Sequence, residues 1–486
     1  MRRAWMTLLA GALAVLSGCL VGPNYKRPAV STPPSYRGPS AAESASMADL
    51  PWWSVFQDDT LQGLIRAAVA NNRDLRVAAS RVEQARQLSL QAHSQNLPSV
   101  VYETGVSGGQ NESLGSPAPQ NGPRQGTASI LLQASWEADV WGRIRRSNEY
   151  ALAVYMGSEQ ARRGVLLSLV SSVATAYYEL LELDLRLDIA RRTTESFHGS
   201  LDIFQQRLEG GTASRLETSR ARAAMEQTAA SLPDLERQIA LKENEIEVLL
   251  GALPGPIARK GTLLEQTLPP EVPAGVPSAL LERRPDVLAA EQQVRAANAQ
   301  IGIATANFFP RIGLTTFFGR QSSPLAEFTT GHASMWGVAG LAGGPVWEGW
   351  TLRAQKRQAV AAWDEARAAY EQAALNAFRD VSNALIAREK LEVVREREMA
   401  AVTAYQEAVD VSQQRYTAGK SSYFEVLEAQ EELYPAENAL AQTELERRLV
   451  IVQLYEALGG GWKLADAEWS GPVQGTTQPR GPDGQP

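Results

Sequence analysis

The spacing of hydrophobic residues changes abruptly at two prolines. Before Pro310, hydrophobic residues recur three and four positions apart, which predicts an amphipathic helix from about Pro285 to Asn307. After Pro310, hydrophobic and small residues alternate as far as Gly319, which predicts a β-strand. The same change of period occurs at Pro98. A helix that ends at a proline and continues as a strand is therefore a basic unit of this fold.

This unit occurs twice at a nearly constant distance. Pro98 and Pro310 lie 212 positions apart, and further along the chain Gly211 and Gly419 lie 208 positions apart. A self-match at such a spacing indicates a tandem duplication. We therefore expect one large unit built from two similar halves.

Each half carries a predicted β-hairpin, at about 99–137 and at about 311–343. Strands of about ten residues are long enough to cross a bilayer when they are tilted. One apolar and one polar face favour a transmembrane β-barrel with lipid outside, although a soluble hairpin packed on a core has the same pattern. The long Gly-, Pro- and Asn-rich loop of the first hairpin favours the membrane interpretation. The apolar face of its return strand consists of Ala128, Ile130, Leu132, Ala134 and Trp136.

Long helices with a heptad seam follow each hairpin. Between Leu183 and Leu208, seam residues fall alternately four and three positions apart, and the pattern recurs 208 positions later. The helices turn back at two tips, 207–214 and 415–422, each with a glycine suited to ending a helix. Each arm would be about 60 Å long or more. Such helices favour an extended rod or tube over a soluble helical bundle.

The bulk composition narrows the class of protein. A net charge of −7 and a pI near 5.4 give no indication of nucleic acid binding. A mean hydropathy of −0.24 excludes a helical membrane protein but not a membrane β-barrel. The single cysteine, Cys19, and three scattered histidines predict neither a disulfide nor a metal site. Because the chain has no P-loop, dinucleotide fingerprint or nucleophile–base pattern, we expect no cofactor and no enzymatic activity.

The N-terminal residues predict secretion and lipid attachment. A basic start and a short apolar run precede Leu16-Ser17-Gly18-Cys19, which resembles a bacterial lipobox. We expect cleavage before Cys19 and acylation of that residue, the alternative being a plain signal peptide that contains a cysteine. Leu20, in the next position, favours sorting to the outer membrane. The expected divisions are a signal peptide at 1–18, a lipid-anchored extended segment at 19–50, the first repeat at 51–253, a linker at 254–277, the second repeat at 278–462 and a disordered tail at 463–486.

Three motifs resemble those of a known family. They are the RRPD…AEQQ…FFP run at Arg283–Pro310, the SWEADVWGR run at Ser135–Arg143 and the WW…F…D run at Trp52–Asp59. Together they resemble the outer-membrane efflux proteins of the TolC/OprM type, in the NodT-like lipoprotein branch that serves RND pumps. The resemblance implies a mixed α and β fold and a homotrimer. The four strands of each chain would complete a transmembrane barrel of about twelve strands, and the duplicated coiled-coil helices would form an α-helical tunnel across the periplasm.

The resemblance also implies a function, the exit duct of a tripartite efflux pump that passively conducts small molecules such as drugs. The partners would be a periplasmic membrane-fusion adaptor, an inner-membrane RND-type pump and outer-membrane lipid. A type I protein-secretion duct has the same fold and is one alternative. A lipid-anchored structural envelope protein is another, and it would need no amphipathic strands.

The resemblance implies roles for several residues near the tips. Glu425 and Glu428 share a helix face, which from the residues alone is a solvated surface, and they match two acids that line a closed periplasmic mouth. A ring of such carboxylates favours cations. Glu217 and Tyr416 match contacts that hold the mouth shut, whereas Ser421 replaces an arginine of that lock. The expected adaptor-contact residues are Arg207, Gly211, Thr212, Arg415, Gly419, Lys420 and Ser421.

Overall fold

The computed structural model describes most of the chain between Leu20 and Gly471. The described residues are 20–38, 46–110, 112–113, 116–117, 124–267, 274–322, 328–329 and 333–471. The predicted signal peptide and the predicted lipidation site, Cys19, lie outside these ranges.

Helices and strands follow one another in two similar series. The first series is α1 (Trp52–Val55), α2 (Asp59–Asn71), α3 (Arg73–Ser94), β1 (Ser99–Gln110), β2 (Glu112–Ser113), β3 (Ser116–Pro117), β4 (Arg124–Ala138), α4 (Arg143–Glu209), α5 (Arg215–Ala229) and α6 (Ser231–Leu250). The second series is α7 (Pro277–Arg283), α8 (Pro285–Ala306), β5 (Arg311–Ser322), β6 (Ser334–Gly343), α9 (Thr351–Thr417) and α10 (Tyr423–Ala457). Single 3-10 turns occur at Met47–Asp49, Leu263–Glu265 and Asp466–Ser470.

Equal element lengths follow the repeat seen in the sequence. Helices α3 and α8 each have 22 residues and begin 212 positions apart. Strands β1 and β5 each have 12 residues and are separated by the same distance. The long helices α4 and α9 each have 67 residues but begin 208 positions apart. The four-residue difference arises between the first strand of each hairpin and the long helix that follows it.

The strands form one antiparallel sheet in the order β1-β4-β5-β6. The two hairpins have registers that begin at Ser99 opposite Ser135 and at Arg311 opposite Gly343. The central pair, β4 with β5, joins the two repeats and runs from Ala128 opposite Ser322 to Ala138 opposite Ile312. Within this sheet β1 and β6 each have one unpaired edge.

The first hairpin is longer than its side-chain pattern predicts. The alternation predicts strands ending near residue 107 and starting near 127, but pairing continues to Gln110 opposite Arg124. Glycine and glutamine contribute little to a core, yet their backbone groups can still form ladder hydrogen bonds. The short pair β2 and β3 also lies in the stretch predicted to be a loop.

The described residues divide into two compact units. One unit consists of the described residues within 20–29, 81–159 and 289–371, and it contains the sheet. The other consists of the described residues within 30–80, 160–288 and 372–471, and it contains both helical tips. Helix α4 is long and apolar enough to cross a membrane, but 67% of its apolar window is buried inside the protein, as in a core helix.

In the unit with the sheet, the residues that follow the predicted lipidation site contact the start of helix α4. Arg146 is almost fully buried and donates hydrogen bonds to the carbonyls of Val21 (3.3 Å) and Gly22 (3.2 Å). It also donates to the Asn24 side chain at 2.9 Å. Gly22 has a φ of 89°, and a Cβ there would come within 2.6 Å of the Gly302 backbone. A buried arginine and a glycine contact therefore hold the chain just after the predicted lipidation site.

In the other unit, the start of the predicted disordered tail is ordered, which corrects the sequence-based expectation for this part. Trp469 is 5% exposed, and its carbonyl accepts a hydrogen bond from Trp52 Nε1 at 3.0 Å. A buried indole removes enough apolar surface from water to hold the short segment around Trp469 against the protein. The rest of the predicted tail, beyond Gly471, lies outside the described residues.

Candidate functional site at the helical tips

The two tips are built from the same helix-ending turn. Gly211 and Gly419 have φ values of 72° and 68°, the left-handed conformation that ends a helix. The amide of Thr212 donates to the Arg207 carbonyl at 2.8 Å, and the amide of Lys420 donates to the Arg415 carbonyl at 2.9 Å. These residues are therefore turn residues by geometry, which leaves their predicted contact with an adaptor a prediction.

An aromatic cluster joins the two tips. Tyr423 packs edge-on against Phe204 with ring centroids 4.0 Å apart, and Tyr416 lies 5.3 Å from Tyr423. Phe204 is 1% exposed, so the cluster is a true core. The buried members of the cluster are Phe197, Leu201, Phe204, Ala221, Ala224, Tyr416, Tyr423, Val426 and Leu427. The first and second helical hairpins thus share one hydrophobic core at this end.

Tyr416, a predicted gate residue, lies beneath the guanidinium of Arg207. The Arg207 Cζ atom is 4.4 Å from the centre of the Tyr416 ring, a cation–π contact. Burial raises the pKa of Tyr416, Arg207 opposes the rise, and the nearby Glu217 carboxylate adds to it. The structure therefore places both predicted gate residues at the tips, and their role in holding a mouth shut stays a prediction.

Glu217 is fully engaged in capping helix α5. Its carboxylate accepts a hydrogen bond from the Ser214 amide at 2.7 Å, and the Glu217 amide donates to Ser214 Oγ at 3.3 Å. This reciprocal capping box satisfies two amides at the helix start. Glu217 therefore has a structural role at the first tip.

Glu425 occupies the equivalent position at the second tip but is not used for capping. It follows Ser422 by three residues, as Glu217 follows Ser214, yet the Ser422 side chain makes no capping hydrogen bond. Instead, a Glu425 carboxylate oxygen lies 3.8 Å from Arg415 Nε, and about half of the Glu425 side chain is exposed. The same Ser-x-x-Glu motif thus gives a carboxylate that caps its helix at the first tip and a half-exposed carboxylate that does not cap at the second.

Glu428 lies beside Glu425 on the same helix face and is exposed. Its equivalent in the first half is Arg220, whose guanidinium lies 5.5 Å from the half-exposed Phe424 ring. Within the described part of the chain Glu428 forms no ion pair. The exposed acids of this helix start are Glu425, Glu428, Glu431 and Glu432.

A second candidate surface is one face of the β-sheet. Tyr102, Leu132, Phe318 and Trp336 lie opposite one another in a row across all four strands. These four side chains are 52–78% exposed, which is unusual for so many large apolar groups in one row. The row continues the apolar face predicted for the return strand of the first hairpin.

Comparison with known proteins gives the decisive observation. The family model described as "Outer membrane efflux protein" matches the chain twice, at residues 64–252 and 276–460. The two matches begin 212 and end 208 positions apart, as do the structural repeats. The chain belongs to the outer membrane efflux protein family.

Relatives of this outer membrane efflux protein span different pumps. It is 34% identical over 468 residues to the toluene efflux pump outer membrane protein TtgC of Pseudomonas putida, covering 93% of this chain and 95% of the relative. It is 31% identical to the cation efflux system protein CusC of Escherichia coli, covering 92% and 97%. The solved structure of the outer-membrane channel OprN superposes with a TM-score of 0.84 at 30% identity, covering 92% of this chain and all of OprN.

Some contacts in this outer membrane efflux protein were not predicted from its sequence. The contact of Arg207 with Tyr416 and that of Arg220 with Phe424 join different helices. The 208-residue spacing could have shown that Glu217 and Glu425 are equivalent residues to compare, but not which of them caps its helix. Among the described residues, no cluster of three or more His, Cys, Asp or Glu side chains could hold a metal ion.

Proposed function

We propose that this chain is the outer-membrane exit duct of a tripartite efflux pump, passively conducting small molecules from the pump across the periplasm and the outer membrane. The observation that carries the proposal is the double match to the outer membrane efflux protein family at the spacing of the structural repeat. Relatives named for toluene and for cation efflux support the duct function and differ in cargo.

The sheet supports a trimeric barrel. An open sheet edge cannot lie in lipid, because its backbone N–H and C=O groups would have no partners. Three copies of a four-stranded sheet close a barrel of about twelve strands and remove these edges. The exposed row of Tyr102, Leu132, Phe318 and Trp336 then faces lipid, which is the alternation expected of a membrane barrel. The long helices of three copies form the α-helical tunnel.

The partners follow from what the sequence lacks and what the tips present. No nucleotide-binding motif is present in the sequence, so energy comes from an inner-membrane RND-type pump. A periplasmic membrane-fusion adaptor joins that pump to the two glycine turns, through residues that include Arg207, Arg415 and Lys420. Acylation of Cys19 adds a lipid anchor, and the Arg146 contacts hold the chain that follows it.

The second tip forms the periplasmic mouth. Glu425 and Glu428 are exposed on one helix face, so three copies would place six carboxylates around the axis. Such a ring attracts cations and repels anions. The cation–π contact of Arg207 with Tyr416 and the aromatic cluster around Tyr416 support a closed mouth by holding the first and second hairpins together.

Ion conductance of the purified protein in a planar bilayer tests the proposal. We expect discrete, small, cation-preferring channels, because the mouth is narrow and acidic. A preparation that inserts no channel, under conditions where a control porin does, would contradict the duct and favour a structural envelope protein. Deleting the gene and testing a panel of antibiotics, metals and solvents identifies the cargo.

A further inference from the structure

We propose that β6 of one copy pairs with β1 of the next copy in a defined antiparallel register, with Ala342 opposite Thr104. The inference rests on the proposed trimer and adds to it the residue contacts of the seam. The expected partners across the seam are Gly340 with Val106, Leu341 with Gly105, Ala342 with Thr104, Gly344 with Tyr102 and Val346 with Val100.

The chain contains its own template for this seam. Strands β4 and β5 belong to different repeats and already pair with each other. The hairpin registers show how the repeats correspond: Ser99 is opposite Ser135, and Arg311 is opposite Gly343. The first strands of the two hairpins, β1 and β5, therefore correspond at a spacing of 212 positions. The return strands, β4 and β6, correspond at a spacing of 208 positions. In a ring of repeats, β6 relates to the next copy's β1 as β4 relates to β5.

Transferring the template gives the register directly. Ala134 lies opposite Thr316 in the β4–β5 pair. The equivalent of Ala134 is 208 positions later, Ala342, and the equivalent of Thr316 is 212 positions earlier, Thr104. Each further pair of the template transfers in the same way.

The exposed apolar face supports this register. Even-numbered residues of all four strands share the face that carries Tyr102, Leu132, Phe318 and Trp336. The proposed register pairs even-numbered with even-numbered residues, so that face continues without interruption across the seam. A slip by one residue would place apolar side chains on the opposite face.

The end of β6 gives independent support. In the template, β4 continues beyond its hairpin partner at Ser135 to Ala138, where it pairs with Ile312. The equivalent of Ala138 is Val346, which is fully exposed and lies just beyond the end of β6 at Gly343. Pairing with Val100 of the next copy would extend β6 to Val346 and cover it.

Exposed apolar residues also flank both edges of the proposed seam. Trp141 stacks on Phe309 with ring centroids 4.6 Å apart and donates to the Pro310 carbonyl at 2.8 Å. The equivalent of Phe309 is Leu97, which is 63% exposed beside β1. Beyond β6, Trp347 and Trp350 are 84% and 72% exposed. The equivalent of Trp141 is Gly349, which lies between these two tryptophans, so the proposed seam has exposed apolar side chains close to both of its edges.

Disulfide trapping tests the register in the full-length, membrane-extracted protein. Directly opposite residues have Cα atoms about 4.5–5.5 Å apart, within disulfide reach, whereas diagonal neighbours are about 7–8 Å apart. The test variant carries Ala342→Cys with Thr104→Cys. The controls pair Ala342→Cys with Tyr102→Cys or with Val106→Cys, one step along the same face. The only natural cysteine is Cys19, so background linkage is measured in the wild type.

The proposed register predicts a covalent trimer on a non-reducing gel for the Ala342/Thr104 pair and little linkage for both controls. A second pair, Leu341→Cys with Gly105→Cys, should link as well and guards against poor folding of the first variant. Stronger linkage of either control pair overturns the register while preserving the trimer. A protein that is monomeric by native mass spectrometry, with no linkage in any variant, overturns both the seam and the proposed barrel.

Discussion

The two helical tips have the same framework and different chemistry. Both end a 67-residue helix in a glycine turn, and both begin the next helix with Ser-x-x-Glu. At the first tip Glu217 caps its own helix, whereas at the second Glu425 turns to Arg415 and stays half exposed. The two repeats therefore share a backbone at their tips, but one glutamate caps its helix and the other stays half exposed.

The helices that follow the two tips, α5 and α10, also differ in the charges at their starts. The start of α5 carries Arg215, Arg220 and Arg222, whereas the start of α10 carries Glu425 and Glu428. Arg220 and Glu428 occupy the same position in the two repeats. Because the two repeats share a backbone conformation, substitutions at equivalent positions form matched pairs. Comparing the two members of a pair tests whether the repeats differ in chemistry.

The largest expected difference concerns the aromatic cluster that joins the two tips. Phe204 is 1% exposed in the aromatic cluster, and its equivalent is Ser412, which bonds only to the Val409 carbonyl of its own helix. Phe204→Ala should destabilise the tip by about 3–5 kcal/mol, because it leaves a cavity. Ser412→Ala should cost at most about 1 kcal/mol. Hydrogen exchange of tip peptides measures both, and equal losses of protection would show that the cluster is not a core.

A buried ion pair in the second half provides the next contrast. Glu444 is buried with Arg448 and also contacts Arg395. Its equivalent, Glu236, pairs with Arg191 at the surface, where both side chains are more than half exposed. Glu444→Ala should cost about 3–5 kcal/mol, because Arg448 remains buried without a counter-charge. Glu236→Ala should cost about 0–1 kcal/mol. Local hydrogen exchange compares the two, and a mild Glu444 variant would contradict the contrast.

The same pair predicts a pH dependence. Burial opposes ionisation of Glu444, but hydrogen bonds from Arg395 and Arg448 outweigh it and lower the pKa of Glu444 below its ordinary 4.5. A lowered carboxyl pKa stabilises the folded protein above the unfolded value, and that contribution is lost as pH falls through the folded pKa. Protection of peptides around Glu444 should therefore decrease in acid, and Glu444→Gln should remove most of this dependence.

Ion selectivity distinguishes the two equivalent glutamates. Replacing Glu425 and Glu428 by Ala should reduce the cation-to-anion permeability ratio several-fold, because the proposed mouth would lose its ring of charge. Glu217→Ala removes a carboxylate of the same type that is locked in a capping box, so selectivity should change little. Bilayer reversal potentials in a salt gradient measure both. Unchanged selectivity in the double variant would remove these residues from the mouth.

The smallest expected difference concerns the caps themselves. Ser214→Ala removes a capping hydrogen bond and should destabilise the start of α5 by about 1 kcal/mol. Ser422→Ala should have almost no effect, because the Ser422 side chain makes no capping bond. Amide exchange at the first turn of each helix compares them. A similar loss at both tips would mean that the second capping box closes in solution.

Much of the fold was predictable from spacing alone. The distances from Pro98 to Pro310 and from Gly211 to Gly419 located both hairpins and both tips, because repeats and hydrophobic periods are properties of the linear sequence. Strand ends were less accurate, since backbone pairing continued to Gln110 without a side-chain signal. The predicted disordered tail was wrong as far as Gly471, because Trp469 docks beside Trp52.

The sequence by itself determined the duplication, the alternating faces of the strands and the glycine turns at the tips. Only the tertiary structure decided that Glu217 caps while Glu425 does not, and that Arg207 covers Tyr416. The physical reason is that a period records which face of an element is apolar, a local property of the chain. The contacts of a charged side chain depend instead on tertiary packing, which brings Arg207 onto the Tyr416 ring and gives the equivalent residues Glu217 and Glu425 different neighbours.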